Sequence, residues 1–160
     1  MVSIRWCLKI KNGIELIEPN ENISESYFRM AEESLGTIKK VQRESKIWFA
    51  STTHYTLYYS LYSVMMRIGI KCEIHLCAIK FMKEFLNGLY DCKEIAYIED
   101  AFEIRKNVQY YPSRLFDFKK LNQIAEKSSD FFIKTKDILV NLTNKDIEDI
   151  RAKLKGFKEK

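Results

Sequence analysis

The segment from Lys46 to Ile68 constrains the fold more than any other part of this 160-residue chain. It is the most apolar stretch, and no glycine or proline interrupts it. Trp48, Tyr55, Tyr58, Tyr59, Tyr62, Met65 and Met66 form one broad stripe at helical spacing, and Ala50, Leu57, Leu61, Val64 and Ile68 cover much of the remaining surface. A helix that is apolar on most sides needs neighbours on most sides, so this one belongs in the middle of a bundle. Residues 51–63 contain many strand formers, and a strand pair is the alternative, but the unbroken run is too long for one strand. Gly69 suits the helix C-terminus.

The flanking segments read as further helices. Asn22 and Glu25 have capping-box spacing, and a helix from there to about residue 44 carries Tyr27, Met30, Ala31, Ser34, Leu35, Ile38 and Val41 on one face. A helix over about residues 73–86 turns Ile74, Ala78, Phe81, Met82 and Phe85 inward. The next, over about residues 93–110, turns in Tyr97, Ile98, Ala101, Phe102, Ile104 and Val108 and stops at Pro112, whose ring blocks continuation. Asp117 caps a long helix with inward residues from Phe118 to Leu142, and Thr143 caps a last amphipathic stretch marked by Ile147, Ile150 and Leu154. The lysine-rich tail after Gly156 is expected to fray. Short links make neighbouring helices antiparallel. The expected class is therefore all-α, an antiparallel bundle of about five helices. Before it, Ile4, Trp6, Leu8 and Ile10 alternate with polar residues as far as Asn12-Gly13, which reads either as a β-hairpin or as a short helix followed by an extended arm.

Charge and cysteines set bounds on function. The net charge is +5, and residues 113–160 hold most of the excess, with twelve basic and eight acidic side chains. That permits nucleic-acid contact without requiring it. Cys7, Cys72, Cys77 and Cys92 form no CxxC pair, and the spacing of Cys72, His75 and Cys77 is not that of a zinc site, so free thiols and no metal are expected. Reduced thiols, the absence of a signal-like apolar start and the absence of a membrane-length apolar run point to the cytoplasm.

Catalytic patterns are scarce: the chain has no GxGxxG, P-loop, GxSxG or HExxH. No cofactor is expected. His54, mid-helix, reads as a hydrogen-bonded core residue, and His75, at a helix start, as local capping or packing. Glu99 and Asp100 read as a solvated surface pair. The segment from Ile104 to Pro112 differs, because it sets Arg105 one and a half turns ahead of the Tyr110–Tyr111 pair at a helix end.

That layout resembles the HEPN superfamily, in particular its small prokaryotic and archaeal members. The features that carry the resemblance are the tyrosine-rich central helix from Tyr55 to Tyr62, the link from Gly69 to His75 and the Arg105-to-Tyr111 helix end, in that order, over about residues 22–142. Trp6-Cys7-Leu8 and Ile17-Glu18-Pro19 resemble the N-terminal lead of the archaeal-type relatives, which favours helix plus arm over hairpin. The resemblance divides the chain into an arm (1–21), a HEPN-like bundle (22–142) and a C-terminal helix with its tail (143–160).

The resemblance implies a homodimer. Nuclease members carry an Arg-x4–6-His motif that two subunits bring together into a metal-independent endoribonuclease cleft. Arg105 matches the arginine, but the motif histidine is absent: Tyr110 and Tyr111 stand at its two places. A phenol with a pKa near ~10 is a poor base at neutral pH. Arg105, Tyr110 and Tyr111 are the candidate catalytic residues, and His75 and Asn107 the candidate binding residues, with His75 able to supply an imidazole from another helix; the preferred alternative is a remnant motif that holds the interface, with Arg105 paired to an acidic side chain. The implied function is an RNA-directed toxin–antitoxin component with a degenerate motif. The alternative is a non-catalytic module that binds a nucleotide or a protein, partnering a minimal nucleotidyltransferase.

Overall fold

The computed structural model describes residues 2–158, and Met1, Glu159 and Lys160 lie outside it. In chain order it contains α1 (Ile4–Lys9), β1 (Glu15–Leu16), α2 (Glu21–Val41), α3 (Lys46–Ile68), β2 (Ile70–Lys71), α4 (His75–Phe85), α5 (Cys92–Tyr110), α6 (Phe118–Asn141) and α7 (Asn144–Lys158). The protein is all-α. Its one sheet among the described residues is the antiparallel pairing of β1 with β2, in the register Glu15 to Lys71 and Leu16 to Ile70.

α3 is the axis of the fold and packs against α2, α5 and α6. Ser45 starts it, accepting a hydrogen bond from the Trp48 N–H at 3.3 Å. Gly69 ends it at φ 82°, a left-handed conformation that glycine adopts without a Cβ penalty. From Phe49 onward, only Thr52, Tyr55, Tyr59 and Arg67 escape full burial. Leu57, Leu61, Met65, Phe81 and Phe131 are among the core side chains cut off from solvent. Each such burial contributes ~1.5–3 kcal/mol.

Side-chain contacts set the direction of the helices. Ser24 donates from Oγ to the Ser63 carbonyl at 2.7 Å, and Tyr27 meets Tyr59 and Tyr62, so α2 runs antiparallel to α3. Phe28 stacks on Phe132 while Gln42 donates to Asn122, which makes α2 antiparallel to α6. Tyr90 stacks on Phe131 while Lys120 pairs with Asp100, which makes α5 antiparallel to α6.

The arm after β1 and α7 meet at the C-terminus of α3. Nη1 of Arg151 in α7 reaches the carbonyl oxygens of Ile17 at 2.7 Å, Ile68 at 3.0 Å and Gly69 at 3.0 Å. The Ile68 and Gly69 carbonyls stand at the C-terminal end of α3, where a cation suits the helix dipole, and the Ile17 carbonyl belongs to the arm that pairs there. A Cβ on Gly69 would collide with this guanidinium and with the Ile17 carbonyl. The approach of Arg151 is therefore a second reason for glycine.

Residues 4–9 form a helix capped by Ser3, in agreement with the favoured helix-plus-arm reading, and the extended arm pairs with β2 beyond α3. Several other expectations are corrected. α2 is capped by Asn20 rather than Asn22, because the Asn20 N–H is already held by the Met66 carbonyl and the chain must turn there. α2 stops at Val41 so that Ser45 can start α3. Trp48, expected inward, is 63% exposed, and Met30 is also exposed. α7 continues through Phe157, which packs edge-on against Phe85, instead of fraying after Gly156.

The largest correction concerns the thiols. Cys7 and Cys77 form a disulfide that ties α1 to α4 across a sequence separation of 70, leaving Cys72 and Cys92 free. This removes the thiol argument for a reducing compartment, and Cys77 is no longer available as a metal ligand. No helix among the described residues is long and apolar enough to cross a membrane.

Candidate functional site

Three helices bring the two histidines and Arg105 onto one side of the bundle. His54 and Tyr55 project from α3, His75 is the first residue of α4, and Phe102 and Arg105 come from α5. His54 Nε2 lies 3.0 Å from His75 Nδ1. The His75 ring stacks on Tyr58 with centroids 3.9 Å apart. Arg105 donates from Nη2 to the Tyr55 hydroxyl at 3.3 Å, and its guanidinium carbon lies 5.3 Å from that ring's centroid. Tyr59 stacks on Tyr55 at 5.1 Å and continues the aromatic surface towards Tyr27.

Two nitrogens in this cluster lack partners. His54 Nδ1 and Arg105 Nε are buried and make no hydrogen bond. Such orphaned groups cost about 1–3 kcal/mol each. No carboxylate lies within 4.0 Å of the Arg105 guanidinium among the described residues, so its charge is not neutralised by the fold.

Burial, and then the neighbouring Arg105, push the His75 pKa down from 6.5 to about 4. Burial, reinforced by His75 and Arg105, holds His54 well below its usual value as well. Both rings are therefore neutral at neutral pH and share one proton across their hydrogen bond. A buried N–H without an acceptor is rarer than a buried acceptor without a donor. That places the proton on His54 Nε2, donated to His75 Nδ1, and leaves the unpartnered His54 Nδ1 as a bare lone pair. His75 then carries its own proton on Nε2, which makes no hydrogen bond within the described residues.

This arrangement predicts acid sensitivity. Between about pH 6.5 and about pH 4 the unfolded chain binds protons that the folded chain excludes, so stability falls as pH falls through that window. His75 accounts for about 2 kcal/mol of the loss once solvent screening at its open edge is allowed for, and His54 acts in the same direction. Urea midpoints measured at about pH 7 and about pH 4.5 test this against His75→Gln. An equal drop in the parent and the variant would show that the imidazole is not the source.

The other sequence-derived candidates lie elsewhere. Five residues along a helix turn a side chain by ~140°, so Tyr110 points away from Arg105, and Tyr111 is the non-helical residue that ends α5. They are 60% and 42% exposed. The Arg114 guanidinium covers the Tyr111 ring at 4.0 Å, and Arg114 also donates to the Asn107 side chain at 3.4 Å. Asn107 therefore belongs with Tyr111 and not with Arg105. Glu99 and Asp100 are engaged by Lys83 at 3.1 Å and Lys120 at 2.8 Å. An open apolar groove of about 430 Å³ lies between α4 and α5 on the other flank of Phe102 and includes neither Arg105 nor His75.

Sequence reasoning placed His54 in the core with a hydrogen bond, but it missed that the partner is His75. They stand 21 positions apart, a separation that carries no spacing signal for contact. It also missed Tyr55 as the support for Arg105. No protein-family model matches the chain, and no curated protein matches it.

Proposed function

We propose that this protein is a HEPN-like homodimer that acts on RNA, with Arg105 and His75 facing the cleft between two copies. One observation carries the reading. The solvent-facing stripe of the central helix is Trp48, Thr52, Tyr55 and Tyr59, uncharged and mostly aromatic, with the unpaired guanidinium of Arg105 at its edge. A solvent face is ordinarily charged. Aromatic residues and arginine, with few other charges, mark the centre of a protein interface and its energetic hot spots. Ile23 and Met30, exposed on α2, extend the same character. A self-complementary patch of this kind suits a two-fold dimer.

In this reading, His75 stands in for the histidine that the Arg105 motif lacks. A role as a toxin–antitoxin component beside a minimal nucleotidyltransferase is part of it, and Tyr110 and Tyr111 are exposed side chains that such a partner could meet. A cytoplasmic site of action also belongs to it; Cys7 and Cys77 are fully buried there, which shields their disulfide from thiol exchange. The tautomer favours a second reading at the same surface. A His75 that presents N–H is a donor and not a base, which suits binding of RNA or a nucleotide without cleavage.

Light scattering on the purified parent is expected to give twice the 19.0 kDa chain mass, and Trp48→Glu to give the chain mass with the helical spectrum retained. A monomeric parent would remove the dimer. Incubation of mixed RNA in EDTA with the parent and with Arg105→Ala separates the two readings. Cutting by the parent alone supports a nuclease, and retention of RNA without cutting supports the binding module. Neither retention nor cutting would remove RNA from the proposal.

A further inference from the structure

We infer that Arg105, His75 and Tyr55 form an anion site for a phosphoryl group, and that the buried His54 is a positioning residue that keeps His75 in its donor form. The site lies wholly within one protomer. It deepens the RNA reading and rests on it only for what carries the phosphate.

The geometry argues for an anion in three ways. The guanidinium leans on Tyr55, which is a neutral partner, and no carboxylate among the described residues pairs with it. Its planar array of N–H groups is the side-chain chemistry best matched to phosphate oxygens. Beside it, His75 offers an unpartnered Nε2, and its ring orientation is fixed from two sides, by the stack on Tyr58 and by the hydrogen bond from His54. His75 also opens α4, a helix with no side-chain cap, and so sits at the positive end of that dipole.

His54 gives the site its direction. The residue is fully buried, and among the described residues the only hydrogen bond of its side chain is to His75. Its second nitrogen has been given up to burial without a partner. A core position that needed only volume would take leucine or phenylalanine without leaving that nitrogen unpaired. The imidazole is accounted for if its Nε2–H holds the lone pair of His75 Nδ1, because the proton of His75 is then committed to the outer nitrogen. This is how a second residue orients the imidazoles of metal and catalytic sites. Reversing the pair would bury an N–H with no acceptor and would turn a lone pair of His75 towards the anion. Arg105 and His75 both lie against Tyr55, and the group that suits these donors is a compact oxyanion with several acceptor oxygens, a phosphate monoester or diester.

The test uses the full-length protein with three probes, inorganic phosphate, uridine monophosphate and a short oligouridylate, followed by the histidine nitrogen resonances. In the parent, long-range proton–nitrogen spectra are expected to show His75 protonated on Nε2, and that signal is expected to move with each probe. Arg105→Ala is expected to abolish the response. His54→Leu is expected to weaken phosphate binding about tenfold and to mix the His75 tautomers, whereas His54→Gln, which keeps an N–H donor, restores both. His75 protonated on Nδ1 in the parent overturns the proposal, and that result is available even if His54→Leu does not fold. Undiminished binding by Arg105→Ala, or by a folded His54→Leu, overturns it too. Response to inorganic phosphate but not to the oligonucleotide keeps the site and removes the RNA reading. RNA retained with His75 unmoved does the reverse.

Discussion

Reduction of the Cys7–Cys77 disulfide is expected to cost the protein about 4 kcal/mol of folding stability. The bond closes a loop of 70 residues, and opening it returns the corresponding closure entropy to the unfolded chain. For a chain of this length that corresponds to a fall in melting temperature of ~8–16 °C. The position of the bond makes the effect local as well as global. α1 has six residues, too few to be stable alone, and it is held to α4 and α7. Guanidinium titrations with and without reductant measure the loss, and alkylation of the unfolded, unreduced chain counts the thiols. Two reactive thiols are expected from Cys72 and Cys92. Four would mean that no disulfide is present, and an unshifted midpoint would mean that the cross-link constrains nothing.

Tyr58→Ala is expected to destabilise by about 3–5 kcal/mol, the range for truncating a large buried ring. Tyr58 is buried on α3, packed among His54, Tyr59, Tyr62 and the face of His75. Its burial also pushes its own hydroxyl pKa upward, so it remains a neutral aromatic filler throughout the working pH range. Losing the ring removes the platform under His75, and the His75 resonances should broaden or shift even where the fold survives. Thermal melts of the parent and the variant read the first effect. A variant that melts with the parent would mean that α3 is not the axis of the bundle.

Local signals made much of this fold legible. The ends of α3 were readable to the residue because nothing breaks it before Gly69, and α6 was readable because Asp117 caps it and its apolar period holds from Leu121 to Leu142. The features that were not legible are long-range. The Asn20 cap depends on the Met66 carbonyl, the β1 register depends on Ile70 and Lys71, and Trp48 faces water because no helix covers that edge of α3. The candidate site follows the same rule. Arg105 was visible from its place ahead of Tyr110 and Tyr111, yet its neighbours are Tyr55 and His75, fifty and thirty residues away. Helical rotation, which sequence spacing does encode, already turned Tyr110 elsewhere.

The Arg151 clamp has a consequence for how the chain comes off the ribosome. The Ile17 carbonyl is made 134 residues before the guanidinium that holds it. At ~5–20 residues per second, the first strand waits ~7–27 s for its anchor. Cys77 follows Cys7 by only 70 residues, about half that delay. During synthesis, then, the arm can be covalently tethered while the end of α3 is still open, and α7 is the helix that later shuts it.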